Sequence, residues 1–289
     1  MKTYSRLLLA VLLVPAAACL ELETPDTDSL AGETDPGTEP EAEPTPTPTP
    51  TPEPDPGPPP PPPPPPRVAE GLNALYTFTA GAGTLVTDEA PGDPKLPLSF
   101  DDPAAATWIP GGGLSIVAPT ILKASLAPGK IYDACQLSNE VTFEAWIRPA
   151  NDTQNGPARI FTYSISTADR NFTLGQDATG YDARLRTSET DDNGTPATAT
   201  GPGLVTPAAV QHVLFTRNLL EAAVWVDGVK VGTQALEGSF VGEWSRTYQL
   251  AIGNELTLDR PWLGDIYLAA VYCRSLTDEE VLQNYEAGY

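Results

Sequence analysis

Nine consecutive prolines, Pro58 to Pro66, divide this chain of 289 residues into a part that cannot build a sheet or helix and a part that can. Proline has no backbone N–H to give to a ladder, and a run of prolines settles into an extended polyproline II rod of about 3.1 Å per residue. The nine therefore span roughly 28 Å. They close a longer segment of the same character. Residues 20–66 hold eleven carboxylates, a Pro-Thr repeat from Pro44 to Pro52, and no Lys or Arg. With little to bury and charge of one sign, such a segment is expected to be a disordered tether. Fully extended it reaches on the order of 100 Å or more. A proline-rich run also suits an SH3-type ligand, but the acidic flanks favour a spacer.

Upstream, Lys2 and Arg6 precede an apolar stretch from Leu7 to Val14, and Pro15-Ala16-Ala17-Ala18 leads to Cys19. The apolar run is about 12 residues, short of the roughly 20 that a membrane-spanning helix needs. A basic start, a short apolar core and small residues before a cut site form the pattern of an export signal. This layout resembles that of a bacterial lipoprotein. The resemblance implies a signal peptide over residues 1–18, lipid on Cys19, a tether over 19–66 and a folded domain over 67–289. Ala16 stands where that family usually has Leu. Leu20, rather than Asp, follows the cysteine, which by the same resemblance favours the outer membrane of a Gram-negative envelope or the cell surface. A single acyl chain anchors marginally and two or more anchor stably; a lipoprotein cysteine usually carries three. An ordinary signal peptide cut at Ala-x-Ala, leaving Cys19 as a free thiol, is the alternative.

The formal net charge of −22 argues against nucleic acid, whose phosphates demand Lys/Arg patches, and against a polybasic membrane contact. Beyond Cys19 only Cys135 and Cys273 remain. Two cysteines in an exported domain read most simply as one disulfide, with two buried free thiols as the alternative.

From Val68 onward, short β-branched and aromatic runs alternate with Gly, Pro, Asn and Asp. Strands are expected at 74–79, 114–117, 141–148, 159–164, 171–175, 183–187, 210–217, 222–226, 230–234, 249–253 and 265–272. In the 141–148 strand Val141, Phe143, Ala145 and Ile147 make an apolar face, opposite Thr142, Glu144, Trp146 and Arg148. Asp227-Gly228 supplies the positive φ angles of a hairpin turn. Many short strands at this spacing predict an all-β fold, a two-sheet antiparallel sandwich or jelly roll. One short C-terminal helix is expected, with Thr277 and Glu280 as a capping box, Val281, Leu282 and Tyr285 on its apolar face and Gly288 as its stop.

These elements resemble the laminin-G-like jelly roll of the concanavalin A-like lectin/glucanase superfamily over nearly all of residues 70–289. The match runs through Gly71–Phe78 with Gly81, Gly83 and Asp88, then Val141–Pro149, Gln211–Arg217 and Trp225–Gly228. It continues through Leu250–Asn254, Pro261–Ile266 and Val271–Glu280. In that family the strand holding Trp146 and the strand 265–272 lie close in one sheet. If they run antiparallel, Cys135 comes beside Cys273 and the bridge closes a loop of roughly 138 residues.

Relatives that cleave glycans carry Glu-x-Asp-x-Glu on one strand, because retaining hydrolysis needs two carboxyls about 5–5.5 Å apart. No such triplet occurs here, and Glu189–Gly194 reads as a solvated loop. His212 is the only histidine, and no Gly-x-Ser-x-Gly elbow exists, so the chain is not expected to be an enzyme. His212 is expected to be packed or at a strand edge. Many relatives hold calcium, which wants six to eight oxygen ligands. Asp88 and Asp265 are the candidates for one structural calcium, although the family's Asp/Asn-rich segment is replaced by Ala118–Ile121. Trp108, Trp244 and Trp262 are the candidate ligand-binding aromatics. Three N-glycosylation sequons, at Asn151, Asn171 and Asn193, are read as accidental. The resemblance implies a lipid-anchored envelope protein that binds a glycan or an extracellular protein. A structural spacer of an envelope assembly without a dissociable ligand is the alternative.

Overall fold

Two β-sheets face each other across a core of branched and aromatic side chains in the computed structural model, which describes residues 61–207 and 209–289. Cys19, the signal segment and most of the tether lie outside the described residues. In chain order the elements begin with β1 (Leu72–Tyr76), β2 (Leu85–Val86), β3 (Leu98–Ser99), β4 (Ala106–Trp108), β5 (Leu114–Ile116) and β6 (Leu122–Ala124). There follow α1 (Gly129–Ser138), β7 (Val141–Pro149), β8 (Ala158–Ser164), β9 (Arg170–Asp177), β10 (Gly180–Leu185) and β11 (Thr198–Ala199). The domain closes with β12 (Gln211–Arg217), β13 (Glu221–Val226), β14 (Val229–Ala235), β15 (Gln249–Ile252), β16 (Gly264–Tyr272) and α2 (Asp278–Ala287).

The first sheet runs β14-β13-β12-β7-β16-β5-β4, with β1 sharing the β5 edge of β16, and the second runs β11-β10-β9-β8-β15-β6-β3-β2. All pairings are antiparallel. This is the jelly-roll sandwich expected from the strand pattern. Every strand predicted from alternation is present within a few residues of its expected bounds. The strands missed, β2, β3, β4, β6 and β11, are two or three residues long, too short to show a period of two.

Phe143 is the hub of the core. It stacks on Phe172 of the opposite sheet and on Phe215 of the neighbouring strand, with centroids 4.6 and 4.5 Å away. Asp227 and Gly228 take φ of 51° and 76°, and the tight β13–β14 hairpin follows from them.

One expectation, a single helix, needs correction. A second helix, α1, stands before β7. It buries only Ile131 and Cys135, one turn apart, and is bracketed by Pro128 and by Asn139 in the left-handed region (φ 55°). So thin an apolar stripe between turn-forming residues does not show in the sequence. The row of β7 opposite its apolar face is covered as well. Thr142, Glu144 and Trp146 are buried, because α2 and the segment Arg67–Val68 pack over them and build a second apolar cluster with Leu214, Trp225, Leu268, Tyr272 and Val281. The α2 cap is as expected: Thr277 accepts from the Glu280 backbone N–H, and Glu280 accepts from the Thr277 N–H at 3.0 Å.

Thr142 pairs with Tyr272, so the start of β7 meets the end of β16. Cys135 and Cys273 are joined there as a disulfide with Cα atoms 4.5 Å apart. The bridge closes a loop of 138 residues that contains β7 to β16, the larger part of both sheets. In the chain-entropy account such a loop stabilises by about 4–5 kcal/mol at most. Replacing both cysteines by Ser should therefore lower the urea midpoint of the domain substantially, with reductant having the same effect on the wild type. A midpoint unmoved by either would show that the bridge does not constrain the unfolded chain.

Candidate ligand-binding face

The aromatic candidates separate by burial. Trp262 is fully buried, its indole N–H donating to Gln176 Oε1 at 3.0 Å. Trp244 is 4% exposed, stacked on Phe240 at 4.5 Å, with its N–H donating to the Arg186 carbonyl. Both are core residues, and neither presents a face to a ligand; the stretch 237–246 folds inward to close the end of the sandwich. Trp108 is different. It lies half-buried on the edge strand β4, held by a bond from its N–H to the Gly83 carbonyl at 2.8 Å. Its ring lines a cleft of about 260 Å³ with Thr79, Gly81, Ile109, Pro110, Gly111 and Gly112.

The calcium candidates also need correction. Asp88 accepts from the backbone N–H groups of Leu75, Ala90 and Leu96, and Lys130 Nζ lies 2.6 Å from its Oδ2. The lysine of α1 supplies the positive charge that a cation would bring, so this carboxylate does not fit a metal ligand. Asp265 is claimed by Arg148, whose Nε donates to Oδ2 at 2.9 Å and whose second nitrogen bonds the same oxygen. Among the described residues no group of three or more His, Cys, Asp or Glu is placed to hold a metal.

Asp265 instead belongs to a polar row on the outer face of the first sheet. Strand register sets Thr107, Ser115, Asp265 and Arg148 side by side across β4, β5, β16 and β7. Arg148 and Asp265 line a second cleft, of about 400 Å³, with Ser115, Val117, Pro149, Ala150 and Leu263. The Arg148 side chain is 47% exposed there, and the adjoining carboxylate raises its pKa further. Tyr267 is buried beside this cleft. Its hydroxyl stands 3.3 Å from Asp265 Oδ2, and its ring lies across Gly113, where a Cβ would come within 2.8 Å of it. Gly113, at φ 109°, follows the glycines that line the Trp108 cleft. The result is a polar strip on the outer face, a tyrosine and a charged pair offering both donor and acceptor, whereas Trp108 stands apart from it, on the inward row of β4 with Ala106 and packed against the core between the sheets. The Arg148 cleft is lined by one carboxylate and the Trp108 cleft by none, whereas acid–base cleavage of a glycosidic bond takes two.

Behind the strip, His212 is fully buried, as expected of a packed residue, and its Nε2 lies 2.8 Å from Glu144 Oε1. Arg67 Nη1 approaches the same oxygen at 2.5 Å, while Asn284 Nδ2 donates to Oε2 at 3.0 Å. Burial alone would push the Glu144 carboxyl up; the His212 bond and Arg67 reverse this and hold it at about 2. Burial, with the Glu144 charge beside it, pushes the Tyr272 hydroxyl up to about 12. A second buried ionic group sits on the other sheet, where Arg159 Nε and Ser164 Oγ both donate to Glu255, at 2.9 and 2.5 Å. Arg170 beside them is brought down to about 9 by burial and then by the Arg159 charge.

Sequence reasoning missed Arg67, Glu144, Arg148 and Tyr267 as a set. Alternation places Glu144 and Arg148 on one face of β7, but only the pairing of β7 with β16 and β12 shows what they meet.

A laminin-G-type family model, described as the concanavalin A-like lectin/glucanases superfamily, matches residues 128–282. The chain belongs to this superfamily. No curated protein sequence matches it significantly. Among solved structures, this jelly roll is similar to the binding domain of botulinum neurotoxin DC in complex with rat synaptotagmin II. That match has TM-score 0.55 and 12% identity, over 75% of this chain and 51% of that one. It is similar to Trypanosoma rangeli sialidase in complex with sialic acid at TM-score 0.52 and 15% identity, over 75% of this chain. The matched region spans 33% of that sialidase. The CBM40 of Ruminococcus gnavus IT-sialidase, bound to α2,3-sialyllactose, matches at TM-score 0.48 and 19% identity, over 59% of this chain and 95% of that one. For the toxin domain and the sialidase, likeness at these identities establishes the shared fold alone.

The sign of the acid response follows from Glu144. Its folded pKa, about 2, lies below the ordinary 4.5, so the unfolded chain binds the extra proton between these values. The stability contributed by this group is full above about pH 4.5 and is lost as pH falls toward 2. Glu144→Gln should flatten the melting temperature against pH between 2 and 5. It should also destabilise the domain at neutral pH, since the part-buried Arg67 loses its counter-charge. A variant with the wild-type slope would show that another group carries the acid response.

Proposed function

We propose that this chain is a lipid-anchored cell-envelope protein whose jelly roll binds an extended glycan or protein ligand outside the membrane, and that a glycan fits best. The observation that carries the reading is the exposed Arg148–Asp265 pair in an open cleft on the outer face, with Trp108 in a separate cleft at the sheet edge. An aromatic ring offers a face for the C–H side of a sugar, and a carboxylate beside a guanidinium gives an acceptor and a donor to vicinal hydroxyls. The superfamily of carbohydrate-handling domains and the sialic acid and synaptotagmin complexes of the similar folds support a ligand-binding role by analogy. Binding rather than hydrolysis suits a cleft lined by a single carboxylate. The tether of residues 19–66 would hold this face away from the bilayer, with lipid on Cys19 and the outer membrane as the expected address.

Residues 61–289, which carry the compact unit, provide the soluble probe. On an array of neutral and acidic oligosaccharides, and in pulldowns from envelope extract, the domain should show saturable binding. Arg148→Ala should weaken it roughly tenfold with the melting temperature nearly unchanged, and Trp108→Ala should weaken it while also lowering the melting temperature, because the ring packs against the core. A well-folded domain that binds neither glycans nor envelope components would reject the reading. For the anchor, full-length protein should take up labelled palmitate and fractionate with the outer membrane, and Cys19→Ala should release it to the soluble fraction. Release from the membrane without loss of label would place the lipid elsewhere.

A further inference from the structure

Where α2 ends, rings crowd the outer face of the first sheet. Trp146 stacks against His212 and Tyr285, with centroids 4.8 and 5.8 Å away. The ring of Tyr289 enters between Trp146, at 5.4 Å, and Tyr267, at 4.6 Å. Trp146 is 7% exposed and Tyr267 is 6% exposed, whereas Tyr289, which covers both, is 61% exposed. The Tyr289 side chain makes no hydrogen bond among the described residues. Gly288, at φ 75°, turns the backbone off the helix, and its carbonyl is gripped by Arg67. Rotation about the torsions of Tyr289 alone would clear the slot and leave α2 in place.

Beneath the cover, Trp146 Nε1 and His212 Nδ1 are buried without a hydrogen-bond partner among the described residues. A buried indole N–H normally finds an acceptor, and one left unpaired is costly. Tyr267, one wall of the slot, leads directly to Asp265 and Arg148.

We propose that Tyr289 is a displaceable cover on a second subsite of the same strip, and that a pyranose ring takes its place between Trp146 and Tyr267. The proposal rests on the glycan reading above. A six-membered sugar ring has the size of the phenol ring it would replace, and its C–H faces suit two aromatic walls. Its hydroxyls supply what the tyrosine does not: an acceptor for Trp146 Nε1, and donors and acceptors for Asp265 and Arg148. An aromatic side chain from a protein partner would fill the slot but leave the indole N–H unpaired.

The test compares wild type, Tyr289→Phe and Tyr289→Ala of residues 61–289 on the oligosaccharide array, followed by NMR of the ¹⁵N-labelled indoles with the bound glycans. Tyr289→Ala should bind the same glycans roughly fivefold tighter or more, because the cost of opening the cover is gone. Tyr289→Phe should match the wild type, and the Trp146 indole signal should move on binding. If Arg148→Ala abolishes binding while Tyr289→Ala leaves affinity and the Trp146 signal unchanged, the cover is refuted and the glycan reading stands. If neither wild type nor Tyr289→Ala binds any glycan, both fall. Tighter binding of Tyr289→Ala to Trp- and Tyr-containing peptides alone would overturn the sugar subsite in favour of a protein ligand.

Discussion

Glu144 carries its charge on the outward row of β7, and the layer that covers the first sheet is organised around that charge. Arg67 arrives from the segment before β1, His212 from β12 and Asn284 from α2, each bonding a Glu144 oxygen. Val68 then donates its backbone N–H to Asn284 Oδ1, and the Tyr272 hydroxyl donates to the Val68 carbonyl. A buried carboxylate is costly unless its lone pairs are met. Meeting them here ties the first residues of the domain to its last helix. The polyproline segment consequently joins the domain at a fixed point, Gln283 donating to the Pro66 carbonyl at 2.7 Å.

This arrangement gives the sandwich a third layer on one side and explains where ligand chemistry is available. Over β12, β7 and the end of β16, the outer face is closed by α2 and the strap. Toward β5 and β4, beyond the reach of α2, it is open, and there Arg148 and Asp265 line a cleft. On the other sheet, Arg159 is paired with Glu255, while Arg170 beside them donates to Thr173 Oγ1 and the Thr167 carbonyl.

Much of the fold was legible in the sequence because a strand facing the core carries an apolar residue at every second position. Val141, Phe143, Ala145 and Ile147 show this, and the Asp227-Gly228 turn was legible too, since few other dipeptides tolerate its φ angles. The bridge between Cys135 and Cys273 followed from cysteine number and family topology. Helix α1 was not legible, because two buried residues in ten leave almost no periodic signal. The candidate site was legible only in pieces. Asp265 and Trp108 were singled out, the first for a metal that its partner Arg148 displaces. Trp244 and Trp262 were equally plausible by residue type, and burial alone distinguishes them from Trp108.

By itself the sequence determined which segments can fold: proline removes backbone donors, like charges repel, and alternation demands a buried face. It also determined the sandwich class and the capped final helix, since both rest on local pattern. Only the tertiary structure decided that the polar face of β7 is interior, that Lys130 and Arg148 neutralise the two candidate metal carboxylates, and that Trp108 alone of the three candidate tryptophans reaches a cleft. Those outcomes depend on which strands pair, in which register, and on what packs above them. These are contacts between residues far apart in the chain, and no local pattern encodes them.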